Sequence, residues 1–536
     1  VTDDTSFYQS ELKRLIQENG EIHRWMLALG VSIGALMEVI DSSITNVALP
    51  HIQGNLGATT SEAAWVITAY SVANVITMPL AVWLGEVFGK KNYFVFSMIG
   101  FTVASMACGL SPSLAVLVLS RVLQGLFGGG LLAKAQAFLF ESFPPAKQGM
   151  IQGLFGICVI VGPIIGPTMG GYLTDNFNWR WIFFINLPIG IIATILCMMF
   201  LPKDAPHEIE DMANQSVDWF GILTLSIMLG SFQYVLEKGQ DEDWFSSRYI
   251  IGASIASVIG FMFFVAQELT TKKPAVDLSV LRHRSVSIGL MFSTLLGFVL
   301  FGMNYVLPNF AQSMLGYTAL QAGVLQVPSS VVSGCMFPIV GMLVGKVDAR
   351  IMVFVGIIML SIASFGLANL TLDAGWDQFL YPSLIRGAGT VLMYLPLTLA
   401  AVGGIPTKDI GGASAFLSLT RQMGGSIGIA ILATLLVRRS DFHRAVLVEK
   451  ITPFGGDVSS RLQSFGAIFQ GHGQSPIDAA NTGLHVMDNI VQQQATIISY
   501  EDLCWLLGVL LLLTLPLVFL LSSGKRPKGA ESIEMH

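Results

Sequence analysis

Apolar runs long enough to cross a bilayer follow one another along nearly the whole chain, separated by short polar turns. A helix needs ~20 residues to span the hydrocarbon core. The runs predict fourteen spans, near residues 25 to 48, 63 to 84, 93 to 110, 113 to 140, 150 to 173, 181 to 201, 218 to 236, 247 to 267, 286 to 310, 319 to 344, 350 to 370, 377 to 402, 411 to 437 and 502 to 522. The third is short. The expected class is a polytopic, all-α membrane protein.

Lysines and arginines fall unevenly between the breaks. Those after even-numbered spans carry Lys90, Lys91, Lys147, Lys203, Lys272, Lys273, Arg282, Arg284, Lys346, Arg350 and Lys408, and the tail carries Lys525, Arg526 and Lys528. The short loops opposite offer Arg180, Lys238 and Arg248. By the positive-inside rule both termini are expected in the cytoplasm, with the protein in a bacterial inner (plasma) membrane. Residues 438 to 501 then form one large external loop. Its beginning, VRRSDFHRAVLVEK, and its end, DNIVQQQATIISYED, read as polar helices that project beyond the membrane.

Composition agrees: 53% of the 536 residues are hydrophobic and 12% charged, against roughly 25% charged in a soluble domain. A net charge of −6, with scattered basic residues, leaves no nucleic-acid footprint. Cys108, Cys158, Cys197, Cys335 and Cys504 lie far apart in apolar runs, without metal or disulfide spacing. The polar first 24 residues do not read as a signal peptide. No nucleophile, zinc-protease or phosphate-loop motif is present, so an enzyme, a cofactor and ATP-driven transport are not expected.

GEVFGKK after span 2 is echoed by GKVDAR after span 10, and RVLQG in span 4 by RGAG in span 12. A parallel internal repeat produces such echoes. The expected layout is a cytoplasmic tail (1–24), a six-helix bundle (25–201), a linker holding two extra spans (202–285), a second six-helix bundle with the external loop (286–522), and a tail (523–536).

Ionisable groups at membrane depth are informative, because a charge near the bilayer centre costs about 2.5–3.5 kcal/mol or more. In span 1, which contains MEVIDSSITNVALP, Gly34, Glu38, Asp41 and Thr45 share one helical face. Arg121 in span 4 falls at the depth of Asp41, so an ion pair is sterically open to them. Lys134, thirteen residues further on, lies ~20 Å deeper toward the cytoplasm. It either answers Glu38 or lines the inward mouth alone. A neighbouring arginine favours the charged form of a carboxylate and burial the neutral form. A change of wetting and distance between conformations therefore changes proton affinity, which is what proton-driven antiport requires. A fixed ion pair holding two helices is the plainer alternative.

Arg386 in span 12, and Arg421 with Gln422 in span 13, are also at depth, as cavity groups or as polar glue between helices. Tyr70, Asn74, Gln124, Asn304, Tyr305 and Gln326 are further candidates to line a substrate cavity. In span 5, Gly162, Gly166 and Gly170 form a small-residue stripe for close helix approach. Pro163 and Pro167 each delete a backbone donor. A bent, closely packed span suits a hinge or seal between moving bundles, and equally tight static packing.

These stretches together resemble the 14-span drug:proton antiporter branch of the major facilitator superfamily, and within it the EmrB-like multidrug exporters. IDSSITNVALP (40 to 50) is similar to the first-span motif, with Asp41 at its acidic position. RVLQG (121 to 125) is similar to the fourth-span motif whose arginine is tied to proton coupling, and GPIIGPTMGG (162 to 171) to the antiporter motif of span 5. WRWIFFINLPIG, LGYTALQAG and RQMGGSIG resemble further stretches. The resemblance covers about 25 to 522 and implies alternating access between two bundles, with Glu38, Asp41 and Arg121 coupling protons to export of amphipathic or hydrophobic drugs. A narrow physiological substrate, such as a fatty acid, lysolipid or siderophore, is the alternative. The turn after span 2 departs from the family pattern, with Glu86 for Asp and Val87 for Arg, so its latch is weakened or rebuilt around Gly89, Lys90 and Lys91. The external loop resembles that of members that dock a periplasmic membrane-fusion adaptor and, through it, an outer-membrane channel.

Overall fold

The computed structural model describes residues 2–204, 218–271, 274–344, 346–403, 405–406, 409–451 and 456–521. The tail 523–536, the linker segment 205–217, and the basic residues Lys272, Lys273, Lys408, Lys525, Arg526 and Lys528 lie outside them. The spans form where the apolar runs predict them: span 1 Glu21–Leu56, span 2 Thr60–Phe88, span 3 Lys90–Leu110, span 4 Leu114–Gly128 with Leu131–Ser142, span 5 Pro145–Asn176, span 6 Trp181–Phe184 with Asn186–Phe200, span 7 Trp219–Lys238, span 8 Arg248–Thr270, span 9 Arg284–Leu315, span 10 Ala319–Val324 with Val327–Leu343, span 11 Ala349–Leu367, span 12 Trp376–Val402, span 13 Ile410–Lys450 and span 14 within Pro476–Leu513. Among the described residues, thirteen are long and apolar enough to cross a membrane. Span 5, 32 residues long and packed against spans 1 and 10, makes the fourteenth.

Local chemistry sets the ends. Gly57, at φ 63°, closes span 1 in the left-handed region that favours glycine. Thr59 and Glu62 then start span 2 with a capping box, each side chain accepting the other's backbone N–H.

Buried apolar residues gather in separate clusters, one running from Phe292 to Leu521 and another from Tyr8 to Leu201. Between these halves spans 7 and 8 form a hairpin touching both. Span 7 stacks Tyr234 on Trp65 of span 2, ring centroids 5.6 Å apart, and Gln233 donates to Ser426 of span 13 at 2.9 Å. The halves also meet directly, with Gly149 of span 5 on the backbone of Gly341 of span 10, and Phe140 clustered with Val286, Ala401 and Leu417.

Three features differ from an even row of spans. The polar N-terminal stretch forms a helix, Thr2–Asn19, whose Tyr8 and Leu12 pack into the first-half cluster. Span 4 breaks at Gly129 and Gly130, where the chain crosses closely over span 2 and a Cβ at Gly129 would meet the carbonyl of Asn74. Span 13 continues unbroken for 41 residues. Beyond the apolar part it is tied to the polar start of the span 14 helix by Arg439 and His443 on Asp502 (2.6 and 2.7 Å) and by Arg444 on Asp488 (2.6 Å). The helix Gly456–Gly471 packs alongside.

Candidate functional site

Asp41 has no exposed surface, and Arg121 almost none. Asp41 Oδ2 meets Arg121 Nη1 at 2.6 Å, while Oδ1 accepts from Gln124 Nε2 at 2.8 Å and Asn186 Nδ2 at 2.7 Å. Arg121 also donates to Gln124 Oε1 (2.8 Å) and to the Val66 carbonyl (3.0 Å), and its guanidinium lies 4.1 Å from the Tyr70 ring centre. Both Asp41 oxygens, and Arg121 Nε and Nη1, are thus engaged, by groups from spans 1, 2, 4 and 6. Charge-assisted bonds of this length are the strong class, and removing one partner of such a pair costs about 3–5 kcal/mol.

Glu38 lies one turn away and is also buried. Its oxygens accept from Asn74 Nδ2 and from the backbone N–H of Leu132, both at 3.0 Å. That N–H is available because span 4 breaks at Gly129 and Gly130: Leu132 lies in the first turn of the second half-helix, where the first N–H groups have no partner in the helix, and the positive end of the helix dipole favours a carboxylate. Asn74 also donates to the Tyr70 hydroxyl at 3.4 Å, which links the two carboxylates through Asn74, Tyr70 and Arg121. The network holds two carboxylates and one cation, so a single proton makes it neutral.

Lys134 does not answer Glu38, whose oxygens are taken. It turns away past Gly85 to lie 5.8 Å from the Tyr93 ring centre, in a cavity of about 40 Å³ shared with Glu86, Lys90 and Glu141. The turn after span 2 is rebuilt around new acids. Lys90 pairs with Glu141 of span 4 at 3.1 Å. Asp204, following span 6, accepts the N–H groups of Lys91 (2.9 Å) and Asn92 (3.0 Å) and sits against Gly89, whose φ of 85° excludes ordinary side chains. Burial pushes the Asp204 carboxyl above its ordinary range, and those N–H groups oppose the shift. Lys91 Nζ donates to the Met198 and Leu201 carbonyls at the end of span 6.

The glycine stripe of span 5 fits against span 1: Gly162 on Val39, Gly166 on Ser43 and the backbone of Ile44, and Gly170 on Ile44. Ser43 donates to the Gly162 carbonyl at 3.3 Å. The helix runs through Pro163 and Pro167 without interruption. Another glycine face, Gly149 and Gly153, meets Gly341 and Phe337 of span 10, so span 5 lies in both contacts.

The second-half candidates stand apart from this network. Arg386 is buried and donates from Nε to Ser329 Oγ at 3.3 Å, and Arg421 lies over the Tyr394 ring at 5.1 Å. Asn304, Tyr305, Gln326 and Gln422 are half-buried. Asn186, Ser105 and the Leu132 N–H were not singled out from sequence. An asparagine inside the apolar run FFINLPIG was the available signal for Asn186, which also donates to Ser105 at 3.0 Å. A backbone N–H leaves no mark in a sequence.

Residues 31–429 match the family model of the Major Facilitator Superfamily. The chain is 35% identical over 507 residues to the Multidrug export protein EmrB of Escherichia coli (strain K12), covering 94% of this chain and 96% of that protein. It is 32% identical over 495 residues to the Fatty acid resistance protein FarB of Neisseria gonorrhoeae, covering 92% and 95%. Among solved structures, the proton:xylose symporter XylE superposes with a TM-score of 0.57 at 13% identity, over 94% of this chain and 97% of that one.

Proposed function

The chain belongs to the major facilitator superfamily as an EmrB-like transporter, and from that premise we propose that it is a proton-coupled antiporter exporting amphipathic or hydrophobic drugs by alternating access. The observation that carries the reading is the buried Asp41–Arg121 pair on one network with Glu38. Two carboxylates against one cation give a site that a proton neutralises. Rocking of residues 25–201 against 286–522, with span 5 as the sliding element, alternately hydrates it. A proton entering across 100 mV releases about 2.3 kcal/mol, more than the ~1.4 kcal/mol of a tenfold solute gradient.

In this reading the protein sits in a bacterial inner membrane with both termini cytoplasmic. The projecting helices of spans 13 and 14 meet a periplasmic membrane-fusion adaptor leading to an outer-membrane channel. The test is drug-driven proton movement in proteoliposomes bearing the wild type, Asp41→Asn and Glu38→Gln. Loss in the variants with drug binding retained supports coupling, and an unchanged pH dependence in Asp41→Asn defeats it.

The name of the Neisseria relative favours a second reading, export of one physiological compound such as a fatty acid, lysolipid or siderophore. A panel of unrelated dyes and antibiotics against a strain lacking the gene separates the two. One affected compound favours the narrow reading.

A further inference from the structure

Lys134 is a buried cation that the Asp41–Arg121 network does not use. It stands two residues after Leu132, whose N–H holds Glu38, and its ammonium makes no ion pair among the described residues. The groups that face it are Glu86 of span 2, Lys90 in the turn, Tyr93 of span 3, Glu141 of span 4 and Asp204 after span 6. From the N-terminal helix, Tyr8 covers Lys90 with its ring centre 5.5 Å from the ammonium, and from the second half Gly411 adds to the cavity wall. Asp409, two residues before Gly411, is taken by His283 at 3.0 Å.

Tyr93 sets these groups in a line with Glu38. It is buried, and its hydroxyl has no hydrogen-bond partner although Ser97 stands one turn on. A Cβ at Gly130 would meet that hydroxyl at 2.6 Å, so the phenol rests on the break in span 4, where the half-helix that holds Glu38 begins. Glu38 is the charge that faces it. Lys134 lies 5.8 Å from the centre of the same ring, in the cavity of about 40 Å³. A buried water needs ~10–15 Å³, so the cavity has room for a few. Glu86, on its wall, is exposed at the end of span 2, the cytoplasmic end in the orientation proposed above.

We propose that Lys134 carries the proton of Glu38 to the cytoplasm, by way of Tyr93 and the cavity beside Glu86 and Glu141. This rests on the antiport reading and adds the proton's exit to it. The Lys134 ammonium first gives a proton to water in the cavity, which passes it out past Glu86. Protonated Glu38 then gives its proton to the Tyr93 oxygen as the phenol passes its own to the neutral Lys134 amine. Glu38 ends as a carboxylate, Lys134 as an ammonium and Tyr93 unchanged, and one proton has left. Lysine can exchange a proton when buried, whereas arginine stays charged. The exit runs among spans 2, 3 and 4, so a hydrophobic compound lodged between the two bundles does not obstruct it.

Everted membrane vesicles, whose cytoplasmic face is outward, are given an inside-acid pH gradient. Proton release driven by an uncharged dye, Nile red, is followed for wild type, Lys134→Arg, Lys134→His, Tyr93→Phe and Glu38→Gln at equal levels in the membrane. Lys134→Arg keeps the charge and cannot release its proton; Lys134→His keeps an exchangeable proton on a shorter side chain. Flux is expected to fall roughly tenfold or more in Lys134→Arg and in Tyr93→Phe, since a positioned acid–base group contributes about 10²–10⁴-fold. Lys134→His is expected to retain most of it, with an optimum at lower outer pH, because imidazole titrates below an ammonium. A cation that merely holds the turn predicts the reverse order, with arginine active and histidine not. That order overturns the proposal, as do equal losses in both Lys134 variants, or wild-type flux in Lys134→Arg or Tyr93→Phe. If the wild type shows dye-driven flux that Glu38→Gln abolishes, such a result removes this inference alone; no flux in the wild type removes the antiport reading as well.

Discussion

Replacing Asp41 by Asn keeps the shape of the side chain and reverses one of its contacts. Oδ1 still accepts from Gln124 and Asn186, but an amide N–H2 now faces Arg121 Nη1 across the 2.6 Å that held an ion pair. Arg121 keeps the Val66 carbonyl and Gln124 Oε1 and loses its counter-charge. A buried pair broken on one side costs about 3–5 kcal/mol; the retained acceptors place this variant near the lower end, at ~3 kcal/mol. Arg121→Gln in the same background removes the uncountered charge and recovers part of that loss, because two neutral amides can share hydrogen bonds. The assay is a double-mutant cycle on the unfolding transition in detergent, with drug-driven proton flux read on the same four proteins. A coupling of roughly 1 kcal/mol or more, with flux lost in both Asp41→Asn proteins, is expected. Additive effects with flux retained in Asp41→Asn would refute the reasoning, since the pair would then be neither strong nor needed.

Glu38→Gln places an amide donor against the Asn74 amide or the Leu132 N–H, so stability falls by about 1 kcal/mol, and the pH dependence of proton flux flattens; a superimposable profile counts against Glu38 as a coupling group. Gly166→Val drives side-chain atoms into Ser43 and the Ile44 backbone, which predicts a loss of about 1–3 kcal/mol and of transport at normal membrane insertion, checked by thermal unfolding and drug accumulation. Asp204 has its carboxyl raised by burial, so its protonated form is the one the fold favours. The stability it contributes is present below the ordinary carboxylate range and is lost as pH rises through the raised value. The unfolding midpoint of wild type minus that of Asp204→Asn therefore shrinks from pH 4 to pH 7, and a widening gap contradicts the assignment.

The spans were legible because hydrocarbon solvent leaves the backbone no choice: twenty apolar residues must satisfy their own hydrogen bonds. Depth counting left an ion pair between Asp41 and Arg121 sterically open, and the two side chains do meet. Counting left two places open for Lys134, beside Glu38 or alone at the inward mouth, because depth says nothing of the face on which a side chain leaves its helix, and the partners of Glu38 prove to be an amide and a backbone N–H. The break in span 4 was hidden because FGGG reads as apolar, and glycine costs a helix only ~1 kcal/mol per residue. The helix Thr2–Asn19 was hidden because Tyr8, Leu12 and Ile16, three residues among many polar ones, make its apolar contact with the core. The turn after span 2 showed its missing motif residues in the sequence, whereas Asp204 reaches Gly89 from more than a hundred residues away.

The uninterrupted helix of span 13 turns small rotations inside the bilayer into large displacements outside it. From Arg421 to Lys450 it measures ~44 Å, so a tilt of about ten degrees swings its tip by ~8 Å. Clamped to its neighbour through Asp502 and Asp488, the rod moves as one body with that neighbour, and under the alternating access proposed above whatever rests on its end would receive a mechanical report of which way the chamber faces.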